Sequence, residues 1–82
     1  MAALQEVGRF GGVVRGLREA RGWSQERLAA EAELNRSYMG EIERGVVMPS
    51  LATAAKLAAA LGVPLWRLLQ HCEQTTKTAI AG

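Results

Sequence analysis

Residues 22–45 read GWSQERLAAEAELNRSYMGEIERG, and this stretch sets the fold. Ser24 is a natural N-cap, because its hydroxyl can accept from a free first-turn amide. It opens a short helix over Gln25 to Glu31 whose inner face carries Leu28, Ala29 and Ala32. Asn35 repeats the signal for a second helix over Arg36 to Arg44, with Met39 and Ile42 three apart on the inner side and Gly45 as the stop. Only Ala32 to Asn35 separate the two helices, too tight a link for a long antiparallel hairpin, so they are expected to cross steeply. Leu28, Ala32, Leu34, Met39 and Ile42 then fill the inside of the crossing, and Ala29 is small where the helices come closest.

Upstream, Phe10, Val13, Val14 and Leu17 recur at helical spacing and predict a helix from about Glu6 to Arg21, ended by Gly22. Gly8, Gly11, Gly12 and Gly16 each weaken it by up to ~1 kcal/mol relative to Ala, so packing against the rest of the domain must hold it. Downstream, Pro49 and Ser50 introduce a helix over Leu51 to Leu61, with Leu51, Ala54, Leu57, Ala58 and Leu61 as its apolar stripe and Gly62 as its end. Pro64 opens a fifth helix to about His71, with Leu65, Leu68 and Leu69 facing the core. Val and Ile are too few and too irregularly placed for strands. The expectation is an all-α, compact five-helix domain over residues 1–72, followed by a small, polar, flexible tail over 73–82.

The chain has 82 residues, enough for one domain. Hydrophobic residues make up 49% and are dispersed, which argues against disorder. The longest uncharged apolar run, Leu57 to Leu65, is too short to span a bilayer, and Met1 to Gln5 lack the basic start of a secretory signal, so a cytoplasmic protein is expected. A net charge of +2 is compatible with a nucleic-acid partner without demonstrating one. Cys72 is the one cysteine, and with His71 the one histidine no zinc set can be completed, so neither metal nor cofactor is expected. There is no Ser/His/Asp grouping, paired-carboxylate pocket or phosphate loop to suggest an enzyme, nor any sign of a small-molecule ligand.

Leu17-Arg18, Gly22-Trp23-Ser24-Gln25-Glu26, Leu28-Ala29, Arg36-Ser37-Tyr38, Ile42-Glu43-Arg44-Gly45, Pro49-Ser50-Leu51 and Ala60-Leu61-Gly62-Val63 stand at consistent spacing. In this combination the chain resembles the Cro/phage-repressor (Xre) family of helix-turn-helix transcriptional regulators, from Phe10 to about Leu69. The resemblance implies a lambda-repressor-like domain whose third helix lies in the major groove of double-stranded DNA. Arg36, Ser37, Tyr38, Gly40 and Glu41 are then the candidate base contacts. Arg36 can donate twice to guanine, Ser37 can donate or accept, and Tyr38 offers a ring to a thymine methyl. Gly40 would let the helix approach closely, and Glu41 could accept from cytosine or narrow the choice of site by repulsion. The resemblance makes Gln25 a phosphate clamp at a helix start, with Ser24, Arg27 and Arg44 as further phosphate contacts. Arg15 and Arg21 are weaker candidates. Arg18 and Glu43 are expected to form a structural ion pair, and Trp23 to plug the core.

Two departures from the family pattern carry expectations of their own. Glu33 stands where many relatives have glycine in a left-handed turn position, which costs ~1–2 kcal/mol. Val46, Val47 and Met48 replace the polar residues relatives use against phosphates, implying either packing under the fourth helix or a dimer contact, and a shallower salt dependence of DNA binding. Trp66 points away from the apolar stripe of its helix, with Gln70 one turn on. We therefore expect a homodimer through Trp66, Val47, Met48 and Gln70, with Trp66 folding over the first helix as the other possibility. The function expected is a dimeric transcriptional regulator of a palindromic operator. Arg36-Ser37-Tyr38 resembles controller proteins of restriction–modification systems, while phage repressors and antitoxins of the same family also fit. A protein-interaction module of this fold that does not bind DNA is the alternative.

Overall fold

The computed structural model describes the backbone of residues 2–70 and the side chains of residues 9–70. The expected tail over 73–82, with His71 and Cys72, lies outside the described residues. Four helices run in the order α1 (Ala2–Ala20), α2 (Gln25–Glu31), α3 (Arg36–Arg44) and α4 (Leu51–Leu61). Residues 65–70 form a further helical segment, α5, and no strand occurs among the described residues. The first helix begins four residues ahead of the expected Glu6, because Ala2, Ala3, Leu4 and Gln5 are good helix formers with no stop signal between them.

The caps explain the remaining boundaries. Ser24 Oγ accepts from the Arg27 amide at 3.0 Å, and Ser50 Oγ from the Thr53 amide at 3.2 Å. Asn35 Oδ1 accepts two amides at once, Ser37 at 2.8 Å and Tyr38 at 3.2 Å. At the other ends, Gly45 (φ 75°) and Gly62 (φ 71°) take the left-handed conformation that closes α3 and α4. Both ends of the nine-residue α3 are thus satisfied. Glu33 has φ 58° in the turn between α2 and α3, the one non-glycine residue with positive φ among the described residues. The Leu34 amide behind it donates to the Ala29 carbonyl at 2.8 Å, which fixes the turn.

Phe10 and Val14 of α1, Leu28 of α2, Met39 and Ile42 of α3, Leu57 and Leu61 of α4 and Leu68 of α5 are fully buried together. Each contributes roughly 1.5–3 kcal/mol by leaving water, so every helix is pinned by at least one large side chain. Leu51 departs from its expected place in this core and is 64% exposed. It lies on the apolar side of α4 by spacing, but in the first turn, ahead of Ala54, where burial along this helix begins.

The first helix packs most extensively on α3. Their closest approach is at Gly11, where an added Cβ would press on the Ile42 carbonyl oxygen and lie 2.8 Å from that of Glu43. Gly12 and Gly16 have nothing within 4 Å of the same position. Of these three glycines, Gly11 alone is demanded by packing; it seats the back of α3 directly on α1.

Candidate nucleic-acid interface

One buried carboxylate sets the orientation of α3. Glu43 Oε2 accepts from Arg18 Nε at 2.7 Å, and its Oε1 accepts from Arg18 Nη2 and from Gln25 Nε2, both at 3.0 Å. Arg18 Nη1 donates in turn to the Trp23 carbonyl at 2.7 Å. The Glu43 side chain is 2% exposed and that of Arg18 is 11% exposed. A forked guanidinium on a carboxylate in so dry a place is a strong and directional link. It ties α1, the turn after it, the start of α2 and the back of α3 at a single point. The hydrogen bond to Glu43 is the main reason Arg18 holds its proton more tightly than an ordinary arginine, outweighing the opposing effect of burial. The stability this contributes is complete below the normal arginine range and would be lost only as pH rose through the elevated value, so Arg18 does not titrate near neutrality.

With its back fixed, α3 turns Arg36 and Ser37 to solvent in its first turn. Arg36 Nε lies 3.3 Å from Glu26 Oε2, with both side chains more than half exposed. Such a pair is worth well under ~1 kcal/mol and leaves Arg36 free to reorient. Glu26 was not among the sequence candidates, because its meeting with Arg36 depends on the crossing of α2 and α3 and not on sequence spacing. Tyr38 and Glu41 are half-buried, Tyr38 with its ring against the core.

Gly40 differs from expectation: it is buried. A Cβ there would lie 3.0 Å from Arg44 Nη1 and 3.7 Å from Gln25 Oε1. The absent side chain makes room for two side chains of this chain, so Gly40 is not an open surface awaiting a base pair. Gln25 is half-buried and shares its amide with Glu43. Ser24 spends its hydroxyl as a cap. Arg27 lies over the Trp23 ring, 4.6 Å from its centroid, with its Nε 3.6 Å from Glu31. Trp23 is half-buried against the core, with the Arg21 guanidinium 5.8 Å away on the ring. Arg15 pairs with Glu19 at 3.2 Å. Arg44 is exposed and makes no ion pair or hydrogen bond among the described residues.

The loop after α3 splits its apolar trio. Val47 turns in and packs on the core, so it is not an open contact residue of the kind expected. Its neighbours Val46 (61% exposed) and Met48 (44%) face solvent, as does Trp66 (64%) on α5. One residue in three must go inward to join α3 to α4 over the core. Gln70 is exposed. Among the described residues no cluster of His, Cys, Asp or Glu could hold a metal ion, and no helix is long and apolar enough to cross a membrane.

The comparisons agree with this architecture. A family profile described as helix-turn-helix matches residues 14–65. The chain is 42% identical over 71 residues to the control protein C.BamHI of Bacillus amyloliquefaciens, covering 79% of this chain and 88% of that protein. It is 37% identical over 60 residues to the transcriptional regulator SutR of Escherichia coli, covering 73% of this chain but only 34% of SutR. The crystal structure of the restriction–modification controller protein C.AhdI from Aeromonas hydrophila superposes with a TM-score of 0.76 at 44% identity, covering 78% of this chain and 97% of that one. The chain belongs to the helix-turn-helix family, a family of DNA-binding transcriptional regulators and not of enzymes. Within it, both control proteins are matched over most of their own length, whereas SutR extends well beyond the shared domain.

Proposed function

We propose that this chain is a sequence-specific regulator of the controller type, binding a roughly palindromic operator as a dimer with α3 in the major groove. The observation that carries the reading is the state of α3: capped at both ends, braced from behind by Glu43, and presenting Arg36 and Ser37 to solvent. In this reading Arg36 and Ser37 meet base edges, Tyr38 and Glu41 flank them, and Gln25, Arg44 and Arg27 act on the phosphate backbone, with Ser24 beside them. Two-fold symmetry of the dimer would place half-sites about one helical turn apart. The absence of cations from Val46, Val47 and Met48 favours a comparatively shallow dependence of affinity on salt.

The test is selection of bound duplexes from a random library, followed by footprinting. Two inverted copies of one half-site should emerge, and Arg36→Ala should weaken binding by about 1–3 kcal/mol while relaxing the preference at one base position of each. Failure of the wild-type chain to retain any duplex at low salt would favour the alternative, an interaction module of the same fold.

The exposed Trp66, with Met48 and Val46, supports pairing of two copies, since large apolar side chains left in water are characteristic of interfaces. Sedimentation of the wild type should show a dimer that Trp66→Ala converts to monomer at the same concentration. A dimer that persists in Trp66→Ala rules this interface out.

A further inference from the structure

Gly40 and Arg44 lie one turn apart on α3, and the packing between them suggests a role for the glycine beyond helix approach. An arginine at a helix C-terminus usually extends into water, but helical side chains lean back toward the N-terminus, over the residue four earlier. Here that residue has no side chain. The Arg44 guanidinium fills the vacancy, with Nη1 3.0 Å from the position a Cβ would take, and Gln25 Oε1 reaches the same spot from α2 at 3.7 Å. Gly40 is consequently buried although it lies on the exposed side of α3. The two side chains that meet over it come from different helices. Gln25 is anchored there by its hydrogen bond to Glu43, while Arg44 is held by nothing but this notch.

We infer that Gly40 is a positioning residue: it seats the Arg44 guanidinium in the notch against the Gln25 side chain, where the arginine is held in place for one DNA phosphate. This rests on the proposed DNA-binding function and sharpens it. A guanidinium held in the notch beside the anchored Gln25 Oε1 presents its own fork of donors in a fixed place, whereas the same arginine swung into solvent is a diffuse charge. A side chain at position 40 would leave the helix intact, because the obstructing atom is the far end of a flexible arginine and every residue except proline is a better helix former than glycine. It would, however, displace the guanidinium.

The experiment measures binding to a mixed-sequence DNA duplex across a salt series for wild type, Gly40→Leu, Arg44→Ala and the double variant, with thermal melts alongside. Gly40→Leu should melt no lower than wild type yet bind more weakly, and the slope of log affinity against log salt should fall by about 0.9, the signature of one lost phosphate contact. Arg44→Ala should do the same, and Gly40→Leu should add nothing in the Arg44→Ala background. Equal further weakening in both backgrounds would overturn the inference, since position 40 would then act on DNA directly. Should Gly40→Leu melt low, Gly40→Ala provides the same comparison with a single methyl and a smaller loss expected in the same direction. An unchanged slope in Arg44→Ala would remove Arg44 from the phosphate contacts and the inference with it, leaving the rest of the DNA face standing. No binding by the wild type at any salt would instead defeat the proposed function itself.

Discussion

Replacing Glu43 with alanine is expected to destabilise the domain by about 3–5 kcal/mol, enough to unfold much of it at physiological temperature given total stabilities of roughly 5–15 kcal/mol. The lost carboxylate accepts three hydrogen bonds, two from Arg18 and one from Gln25. Without it, Arg18 keeps a charge in a site where its side chain is 11% exposed. An arginine has no neutral form within reach to relieve that charge, and here its proton is held more firmly than usual in the intact pair. The large effect therefore belongs to the orphaned guanidinium and only in small part to the lost hydrogen bonds. A second variant separates the two. Arg18→Met combined with Glu43→Leu removes both charges and refills the volume, and it should melt well above Glu43→Ala alone. Chemical denaturation of the single and double variants reads the difference. A double variant no more stable than the single would show that the pair contributes through its own attraction instead.

The second large effect is expected at Gly11. Judged by helix propensity, Gly11→Ala, Gly12→Ala and Gly16→Ala should each stabilise α1 by up to ~1 kcal/mol. The structure separates them. At positions 12 and 16 the new methyl meets nothing within 4 Å, so the gain should be realised. At position 11 it meets the Ile42 carbonyl and lies 2.8 Å from that of Glu43, both backbone atoms of α3 that cannot move as a side-chain tip can. The helices must part, and overpacking of this kind costs typically ~1–3 kcal/mol. Thermal melts of the three variants should show one falling and two rising. Three rises would mean that α1 and α3 separate without cost.

The same glycine marks the boundary of what could be read from the sequence. The short central helices, their caps and the turn between them were legible because each is set by neighbours in the chain: Ser24, Asn35 and Ser50 act within three residues, and Gly45 and Gly62 close their own helices. Glu33 was legible as a left-handed residue through the resemblance, because relatives have glycine at that turn position. Gly11 looked like one of four weaknesses in α1, since its requirement comes from a carbonyl on another helix. Gly40 looked like bare surface, since its covering side chains, Arg44 and Gln25, come from one turn on and from α2. Leu51 carried the right spacing but stood one turn ahead of the core, and which of Val46, Val47 and Met48 would turn inward depended on how α4 sits. Of the candidate site, residue types and helix positions were readable. Their present occupations were not: Gln25 on Glu43, Arg27 on Trp23 and Arg36 facing Glu26.

The double capping of α3 has a thermodynamic corollary. Nine residues are too few to hold a helix alone in water, yet here the backbone is settled before any partner arrives. Encounter with a duplex would then freeze only a handful of rotamers. Association should be rapid, and the heat-capacity change should match the area covered with no extra term from coupled folding.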